Sequence, residues 1–418
     1  MGVTIALDVA QAQSLRERLT DLSKNHKRVL AAAASLEGAK ERIEVARGDW
    51  YPNLDVTANY GHERQNKPTG SDDTELEPRN LETKITQKLW DFGSANSSIR
   101  RATLVYRQAD AQLDATVQGI ILEGVSAHLN VMRFEKLLDF AKGSAENIKQ
   151  QAELEDAKVQ RGSGFTTDVL QAKSQLAGAL GNIIRSERTL LESLNAYKAV
   201  FGEEPKDIAK MREPRLPLEL LPKSLDELLA FVRQDSPTLL VDRLTASIAR
   251  EDVAKTRVDE FLPTFDVIGE HKNKQHSGGT VGSQQEWQIK LEATYGFNLG
   301  LTAVNSLRAS RQAHITAVNQ FGDRRDVLEL QARNAWHKLE TARREAEHRH
   351  NQVDIASEFL ELARRERQLG NRSLIDVLGG ETNLINAASD AASADADVAI
   401  TVFEVLAAMG HLDSTIID

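Results

Sequence analysis

His348 and His350 are the first residues to test for chemistry, because paired imidazoles are common in metal sites. They lie two residues apart in a stretch with helical spacing, which points the two rings to different sides of a helix. The glycine-rich stretch 278–282 lacks the Lys-Ser/Thr pair of a phosphate-binding loop. The chain has no cysteine, which excludes thiolate ligands and a cysteine nucleophile. These residues predict a protein that is not an enzyme and that holds no metal and no cofactor.

Net charge and hydropathy limit which partners the chain can bind and which membrane or targeting segments it can contain. The net charge of −10 disfavours nucleic acid. The chain has no run of about 18 apolar residues that could form a transmembrane helix. Residues 1–7 are too short and too poor in basic residues for a signal peptide. We therefore expect either a cytosolic protein or a processed mature form, and the strand patterns favour the second.

The chain contains an internal repeat of roughly 190 residues, which sets the elements that position its functional groups. Gly162 and Asp168 recur as Gly370 and Asp376. Three further pairs share nearly the same offset: Ser14-Leu15 with Ser224-Leu225, Pro52 with Pro263, and Gly202 with Gly410. Each copy reads as a short helix, two strands, a very long helix, a turn and a long helix.

Proline positions show where long helices can form, because proline costs about 3 kcal/mol inside a helix. None of the nine prolines lies between residues 79 and 204 or after residue 263. Helices of this length, about 100 Å for the longest, require coiled-coil-like packing. The predicted organisation is a first repeat over 1–202 (helices 94–160 and 166–201), a Pro-rich linker over 203–223, a second repeat over 224–410 (helices 301–368 and 373–409), and a tail over 411–418.

The last predicted helix is rich in small and acidic residues and lacks cations. From residue 373 to the end there is no Lys or Arg, whereas the preceding helix is rich in Arg. Two interpretations stay open for Asp390, Asp395 and Asp397. They either pair with cations of neighbouring helices or form an acidic face toward a wet lumen.

Four segments show the alternation of apolar and polar residues that is typical of strands with one wet face. They are predicted over 53–64, 81–92, 264–273 and 286–299. In the last of them Ile289, Leu291, Ala293 and Tyr295 share one face. A soluble sheet on a core and a membrane barrel both give this pattern.

Aromatic residues and polar loops favour the membrane interpretation. Trp50, Trp90 and Trp287 lie at predicted strand ends, as an aromatic girdle requires. Ile289, Leu291, Ala293 and Tyr295 would then face lipid. Four strands cannot close a barrel, and open edges do not occur in lipid. Three chains would supply twelve strands, which lies within the known range.

These residues together resemble the TolC family of outer-membrane channel-tunnels, over about residues 12–411. The marks are the duplicated Ser-Leu helix starts, the Asn25-His26 and Ser236-Pro237 pair, the strand openings at Pro52 and Pro263, and the two Gly-x5-Asp-Val-Leu turns. The resemblance implies a mainly α fold with a β-barrel portion. A homotrimer would form a 12-stranded barrel in the outer membrane of a Gram-negative bacterium and a 12-helix periplasmic tunnel. The implied partners are a periplasmic adaptor (membrane fusion protein) and an inner-membrane ABC transporter.

Two segments, 359–382 and 201–205, are most similar to the LapE-like branch, which exports large adhesins by type I secretion. This implies a passive duct for a secreted protein cargo, with adhesin export and biofilm formation as its context. Two alternatives stay open: a multidrug or metal efflux duct, and, in another class, a soluble coiled-coil scaffold or adaptor.

The resemblance also implies a gate at the two turns. Gly162 and Gly370 mark the turns, and Asp168 and Asp376 match the turn aspartates of the family. Arg372 matches a gate arginine, and Arg367 stands where relatives have a gate tyrosine. A second constriction aspartate is replaced by Gly379. The alternative role for both aspartates is simple stabilisation of a helix N-terminus.

Overall fold

The computed structural model describes residues 15–417 and shows a mainly helical chain with a small antiparallel sheet. Ser14 and residues 1–7, which entered the sequence predictions, lie outside the described residues, as does Asp418. The helices are α1 (Leu15–Asn25), α2 (Lys27–Gly48), α3 (Ser94–Gln160), α4 (Thr166–Phe201), α5 (Leu225–Asp235), α6 (Pro237–Phe261), α7 (Thr302–Gln368) and α8 (Leu374–Met409). The strands are β1 (Asn53–Tyr60), β2 (Glu63–Gln65), β3 (Thr74–Leu76), β4 (Arg79–Trp90), β5 (Thr264–Gln275) and β6 (Ser283–Thr294).

The lengths of the helices reflect the internal repeat. Helices α3 and α7 each have 67 residues, and α4 and α8 each have 36. None of the helices within residues 15–417 is both long and apolar enough to cross a membrane.

Local capping explains where several helices begin. The Ser224 hydroxyl accepts a hydrogen bond from the Glu227 amide at 3.2 Å, and the Glu227 carboxylate accepts one from the Lys223 amide at 2.6 Å. This arrangement starts α5 and is similar to a capping box, except that the carboxylate binds the amide of the residue before the cap. Pro237 then opens α6, since proline lacks the amide hydrogen that the first helical turn does not use.

The described chain divides into two compact units, and each contains segments of both repeats. The first unit comprises the residues up to Ala32, Leu113–Leu239, and the residues from Arg325 onward; the second comprises Ala33–Gln112 and Leu240–Arg324. The predicted domain boundaries follow the repeats and stay a prediction.

The first unit is held by an apolar core among α1, α3, α5, α7 and α8. Its centre includes the fully buried side chains of Leu19, Val125, Leu228, Phe403 and Leu406. Burying each large apolar side chain contributes about 1.5–3 kcal/mol.

Three acidic residues of α8 contact basic side chains of neighbouring helices. Asp390 lies 2.9 Å from Arg349, and Asp395 lies 2.8 Å from His350. Asp397 pairs with Arg133 of α3. These contacts support charge complementarity between helices as the reason for the acidic composition of α8. They also place His350 in a hydrogen bond with Asp395 rather than beside His348.

His128 of α3 is a buried histidine that holds the linker. Only 5% of the residue is exposed, and its Nε2 lies 2.9 Å from the Arg212 carbonyl oxygen. Its Nδ1 is buried and has no hydrogen-bond partner among the described residues. Burial lowers the pKa of His128 below the ordinary 6.5, and the charge of Arg18 acts in the same direction. The folded protein therefore disfavours the imidazolium.

Acid should consequently loosen the linker. Just below pH 6.5 the unfolded chain binds a proton at His128 more readily than the folded chain, so the free energy of unfolding should fall as pH drops below about 6.5 and be constant above it. Amide hydrogen exchange of residues 203–216 should accelerate at pH 5, after correction for the intrinsic pH dependence of exchange. His128→Gln should remove this extra acceleration, whereas the exposed His337→Gln should retain it. An identical pH profile in the wild type and His128→Gln would refute this role.

The second unit contains a four-stranded antiparallel sheet in the order β1-β4-β5-β6. The register aligns Leu54, Ile85, Gly269 and Ile289 in one row across the four strands. Short strands β2 and β3 pair in the loop between β1 and β4.

All four predicted strands differ from the observed strands at one or both ends. Strand β4 spans Arg79–Trp90 where 81–92 was predicted, and β5 ends at Gln275 where residue 273 was predicted. Strand β6 was predicted over 286–299, but it begins at Ser283 and ends at Thr294. It pairs with β5 from Gln275 to Thr264, and β5 can extend no further because Pro263 precedes it. Tyr295 therefore lies just beyond the strand, and Trp287 lies within it. Strand β1 ends at Tyr60 rather than at residue 64.

Candidate functional site

The two long-helix turns have the same backbone structure. Gly162 and Gly370 have φ angles of 75° and 83°, which favour glycine. The Ser163 amide donates to the Lys158 carbonyl at 3.0 Å, and the Asn371 amide donates to the Glu366 carbonyl at 2.9 Å. Both turns are thus Schellman motifs, which end α3 and α7 sharply and let the next helix fold back.

Arg367 joins the two repeats at these turns. Its Nη2 lies 3.0 Å from an oxygen of Asp168, at the start of α4, and 3.3 Å from an oxygen of Glu155, near the end of α3. Its Nη1 donates to the Arg372 carbonyl at 3.3 Å. One guanidinium of the second repeat therefore bridges two carboxylates of the first repeat.

Glu155 is the residue of this link that the sequence analysis missed. It is 2% exposed, and Lys158 of the same helix is 2.8 Å away. Glu155 follows the buried Ile148 and Ala152 at helical spacing, so an acid on an apolar face was the available signal. Removing Arg367 would leave this buried carboxylate with Lys158 as its remaining cation, which is costly.

Arg372 and Asp376 make their contacts within the second turn. Arg372 pairs with Glu366 at 2.9 Å, and it is 3.9 Å from Asp376. The Asp376 amide donates to the Ser373 hydroxyl at 3.3 Å, and that hydroxyl donates to the Asp376 carboxylate at 2.8 Å. Within one protomer, Ser373 thus caps α8 and Asp376 binds this cap, whereas Asp168 takes part in the link between repeats.

The sheet presents one apolar face. Its members across the four strands include Leu54, Val56, Leu81, Ile85, Phe265, Val267, Trp287, Ile289, Leu291 and Ala293. Ile289 is 85% exposed and Trp287 is 78% exposed. An open apolar face of this extent marks a surface that contacts lipid or another protein.

The opposite face of the sheet is charged. Lys272 lies 3.4 Å from Glu82 and 2.8 Å from Glu270. Lys290 lies 3.5 Å from Glu270 and 3.0 Å from Glu292. These five residues form a chain of alternating charges across β4, β5 and β6, which suits contact with water.

Aromatic residues occur at two levels of the sheet. Trp90 contacts Phe92 edge-on with centroids 6.0 Å apart, at the end of β4 where Trp90 pairs with Phe265. Trp50 donates to Asn96 at 3.3 Å after the end of α2. Contrary to the expectation, Trp287 does not lie at a strand end. Its ring is tilted by 33° against the His271 ring, with centroids 4.0 Å apart. Strand β6 rises about 20 Å from Trp287 to Ala293, which lies beside Phe265.

Comparison with known proteins identifies the chain. The family model described as "Outer membrane efflux protein" matches residues 19–203 and 228–411. The outer membrane protein TolC of Vibrio cholerae is 24% identical over 96% of this chain and 91% of that protein. The alkaline protease secretion protein AprF of Pseudomonas aeruginosa is 21% identical over 75% of this chain and 66% of that protein.

Solved structures give the same fold. The outer-membrane channel OprN superposes with a TM-score of 0.83 at 17% identity, covering 95% of this chain and 90% of that chain. The Campylobacter jejuni channel CmeC superposes with a TM-score of 0.82 at 16% identity, covering 96% and 87%. The predicted mainly α fold with a small sheet is confirmed. The chain belongs to the outer membrane efflux protein family, as a TolC-type channel of the Gram-negative outer membrane with a large periplasmic helical portion and no enzymatic role.

Proposed function

We propose that three copies of this chain form a passive exit duct for type I secretion of a large protein. The observation that carries the proposal is the sheet, which has one apolar face, one charged face and two free edges. Strands β1 and β6 each pair on one side within the chain. In lipid their other edges must be paired, and three copies close a barrel of twelve strands.

The exposed faces of α4 and α7 support the same assembly. Leu170, Ala177, Ile184 and Leu191 are exposed and recur at heptad spacing along α4. Exposed apolar residues Ile355 and Leu362 follow one side of α7. Mostly basic residues flank the stripe on α4 (Lys173, Arg185 and Arg188, with one acid, Glu187), and acidic residues flank the stripe on α7 (Glu347, Asp354 and Glu358). We propose that α4 of one copy packs on α7 of the next.

Ile184→Glu should therefore prevent assembly. The substitution removes about 2 kcal/mol of apolar burial at each seam and adds a carboxylate there. Light scattering in mild detergent, with the detergent contribution subtracted, should give about three protomer masses for the wild type and one for the variant. Asn182→Glu, on the other side of α4, is the matched control and should stay trimeric. A monomeric wild type would reject the trimer itself.

The class of cargo is inferred from a relative and from two sequence segments. The alkaline protease secretion protein AprF is related to secretion by its name. The segments 359–382 and 201–205 resemble the adhesin-exporting LapE-like branch. We therefore favour an adhesin as cargo, delivered by a periplasmic adaptor and an inner-membrane ABC transporter.

A small-molecule efflux duct is the second candidate. The Brucella suis relative BepC, 22% identical over 98% of this chain, is named an outer membrane efflux protein. Deletion of the chain in its host separates the two. Loss of one large surface protein with unchanged drug and metal susceptibility supports secretion. Changed drug or metal susceptibility with an unchanged set of surface proteins supports efflux. A soluble scaffold has no support, since the family is one of outer-membrane channels.

The gate proposal rests on the Arg367 link. Helix turns that close the periplasmic mouth must separate for cargo to enter, and Arg367 ties the second-repeat turn to Asp168 and Glu155 of the first. Arg367 and Asp168 are partly exposed, so a docking partner can reach and break this contact. The pump complex supplies the energy for opening, and the duct contributes turns that can be either closed or open.

A further inference from the structure

The charged face of the sheet carries nearly equal numbers of cations and anions. The strand register places five lysines and six acids on this face, so its net charge is only −1 in each copy. The lysines are Lys84, Lys88, Lys272, Lys274 and Lys290, and the acids are Asp55, Glu82, Asp266, Glu270, Glu286 and Glu292. The two signs alternate across neighbouring strands instead of forming separate patches.

Lysines of this face lie in direct contact with its acids. Lys272 and Lys290 each lie between two acids, at nitrogen–oxygen distances of 2.8 to 3.5 Å. Lys274 lies 3.5 Å from Glu286. Ile268 shares the face but is only 2% exposed, so the side chains around it lie against the sheet and cover it. The charged groups therefore form a paired layer on the sheet.

Stability alone does not explain this composition. Ion pairs in contact with water contribute little to the free energy of folding, and uncharged polar residues would also suit a wet face. A wall of one sign would concentrate counter-ions and oppositely charged polymers. Opposite charges that are about 3 Å apart cancel well within the Debye length, which is about 10 Å at 0.1 M salt. The paired layer is thus strongly hydrated, yet little of its electric field reaches the surrounding water.

We propose that the charged face is a self-neutralised lining, which keeps the barrel weakly selective for ions and lets polypeptide segments of either charge pass without being held. This inference rests on the proposed trimeric duct, in which this face lines the lumen. A segment that passes through must bind weakly enough to leave. Lys272 and Lys290 determine this property, because they neutralise Glu82, Glu270 and Glu292.

Planar-bilayer recording with peptides of ten lysines or ten aspartates tests the lining. For the wild type at low salt, the ratio of potassium to chloride permeability should lie within about threefold of one, and the two peptides should have similar dwell times in the pore. Lys272→Gln/Lys290→Gln changes the net charge of the face from −1 to −3 in each copy. This variant should prefer cations and hold the lysine peptide about tenfold longer than the wild type does.

A charge exchange separates pairing from sign and decides the matter if the double neutralisation does not assemble. Glu286→Lys breaks the pair with Lys274, so it should shift selectivity toward anions and lengthen the dwell time of the aspartate peptide. Lys274→Glu/Glu286→Lys restores a pair with the signs exchanged and should return both values to those of the wild type. A strongly selective wild type, unchanged dwell times in Lys272→Gln/Lys290→Gln, or an exchange that fails to restore wild-type values would overturn the lining. Wild-type protein that forms no channel at all would instead reject the proposed duct.

Discussion

Ile289→Arg is expected to abolish assembly in the outer membrane. Ile289 is 85% exposed on the apolar face of β6 and lies between the levels of Trp287 and Ala293. An arginine on the lipid face near mid-bilayer costs about 2–4 kcal/mol, and three copies multiply this to about 6–12 kcal/mol per trimer. Heat-modifiable trimer on a gel of outer-membrane fractions measures the yield.

Gln288→Arg is the matched control for this prediction. Gln288 is the neighbouring residue, pairs with Glu270 across β5 and β6, and lies on the charged face. An arginine there meets a carboxylate and water, so trimer yield should stay near that of the wild type while ion selectivity changes. Normal yield of Ile289→Arg, or loss of yield confined to Gln288→Arg, would reverse the assignment of the two faces.

The elements of the fold were predictable because their signals are local. Proline-free tracts with apolar residues at helical spacing indicated the long helices, and strict alternation around Ile289 indicated a two-faced strand. Strand ends were harder, because they depend on a partner. Strand β6 stops at Thr294 since its neighbour β5 starts after Pro263, a constraint that the β6 segment itself does not contain.

The candidate gate was predictable only in part. The glycines and aspartates of the turns recur as a motif, so Gly162, Asp168, Gly370 and Asp376 could be found by comparing the repeats. The repeat does not reveal that their contacts differ. Asp168 bonds to Arg367, whereas Asp376 bonds to Ser373, the residue that caps its own helix.

Buried polar partners were the least accessible from sequence. Arg367, the partner that joins Glu155 to the second repeat, lies on another helix and more than 200 positions away. Charged residues are common on solvated helix faces, so an acid gains significance only when packing shows that it is buried. The internal repeat thus produces two turns with the same backbone structure. The side chains around the two turns differ, so the contacts that link them are not the same in the two repeats.

Arg367→Gln should produce the largest change in gating. The substitution removes the cation shared by Asp168 and Glu155 and leaves Glu155, 2% exposed, beside Lys158 alone. Removing one partner of a buried ion pair costs about 3–5 kcal/mol. Because Asp168 is partly exposed, we expect a smaller effect here, with the closed mouth about 1–2 kcal/mol less stable in the variant than in the wild type. This corresponds to roughly a five- to thirtyfold rise in the ratio of open to closed channels.

Arg365→Gln tests whether the effect belongs to the link. Arg365 is two residues away, is exposed, and pairs with Glu361 of its own helix, so it should leave gating unchanged. High salt should raise the open probability of the wild type, because it screens the partly exposed Arg367–Asp168 contact, and should affect Arg367→Gln less. Planar-bilayer recordings of the two variants at low and high salt measure both effects. Equal open probabilities for Arg367→Gln and the wild type would mean that the mouth is closed by other contacts, and that Arg367 only stabilises the fold of the turns.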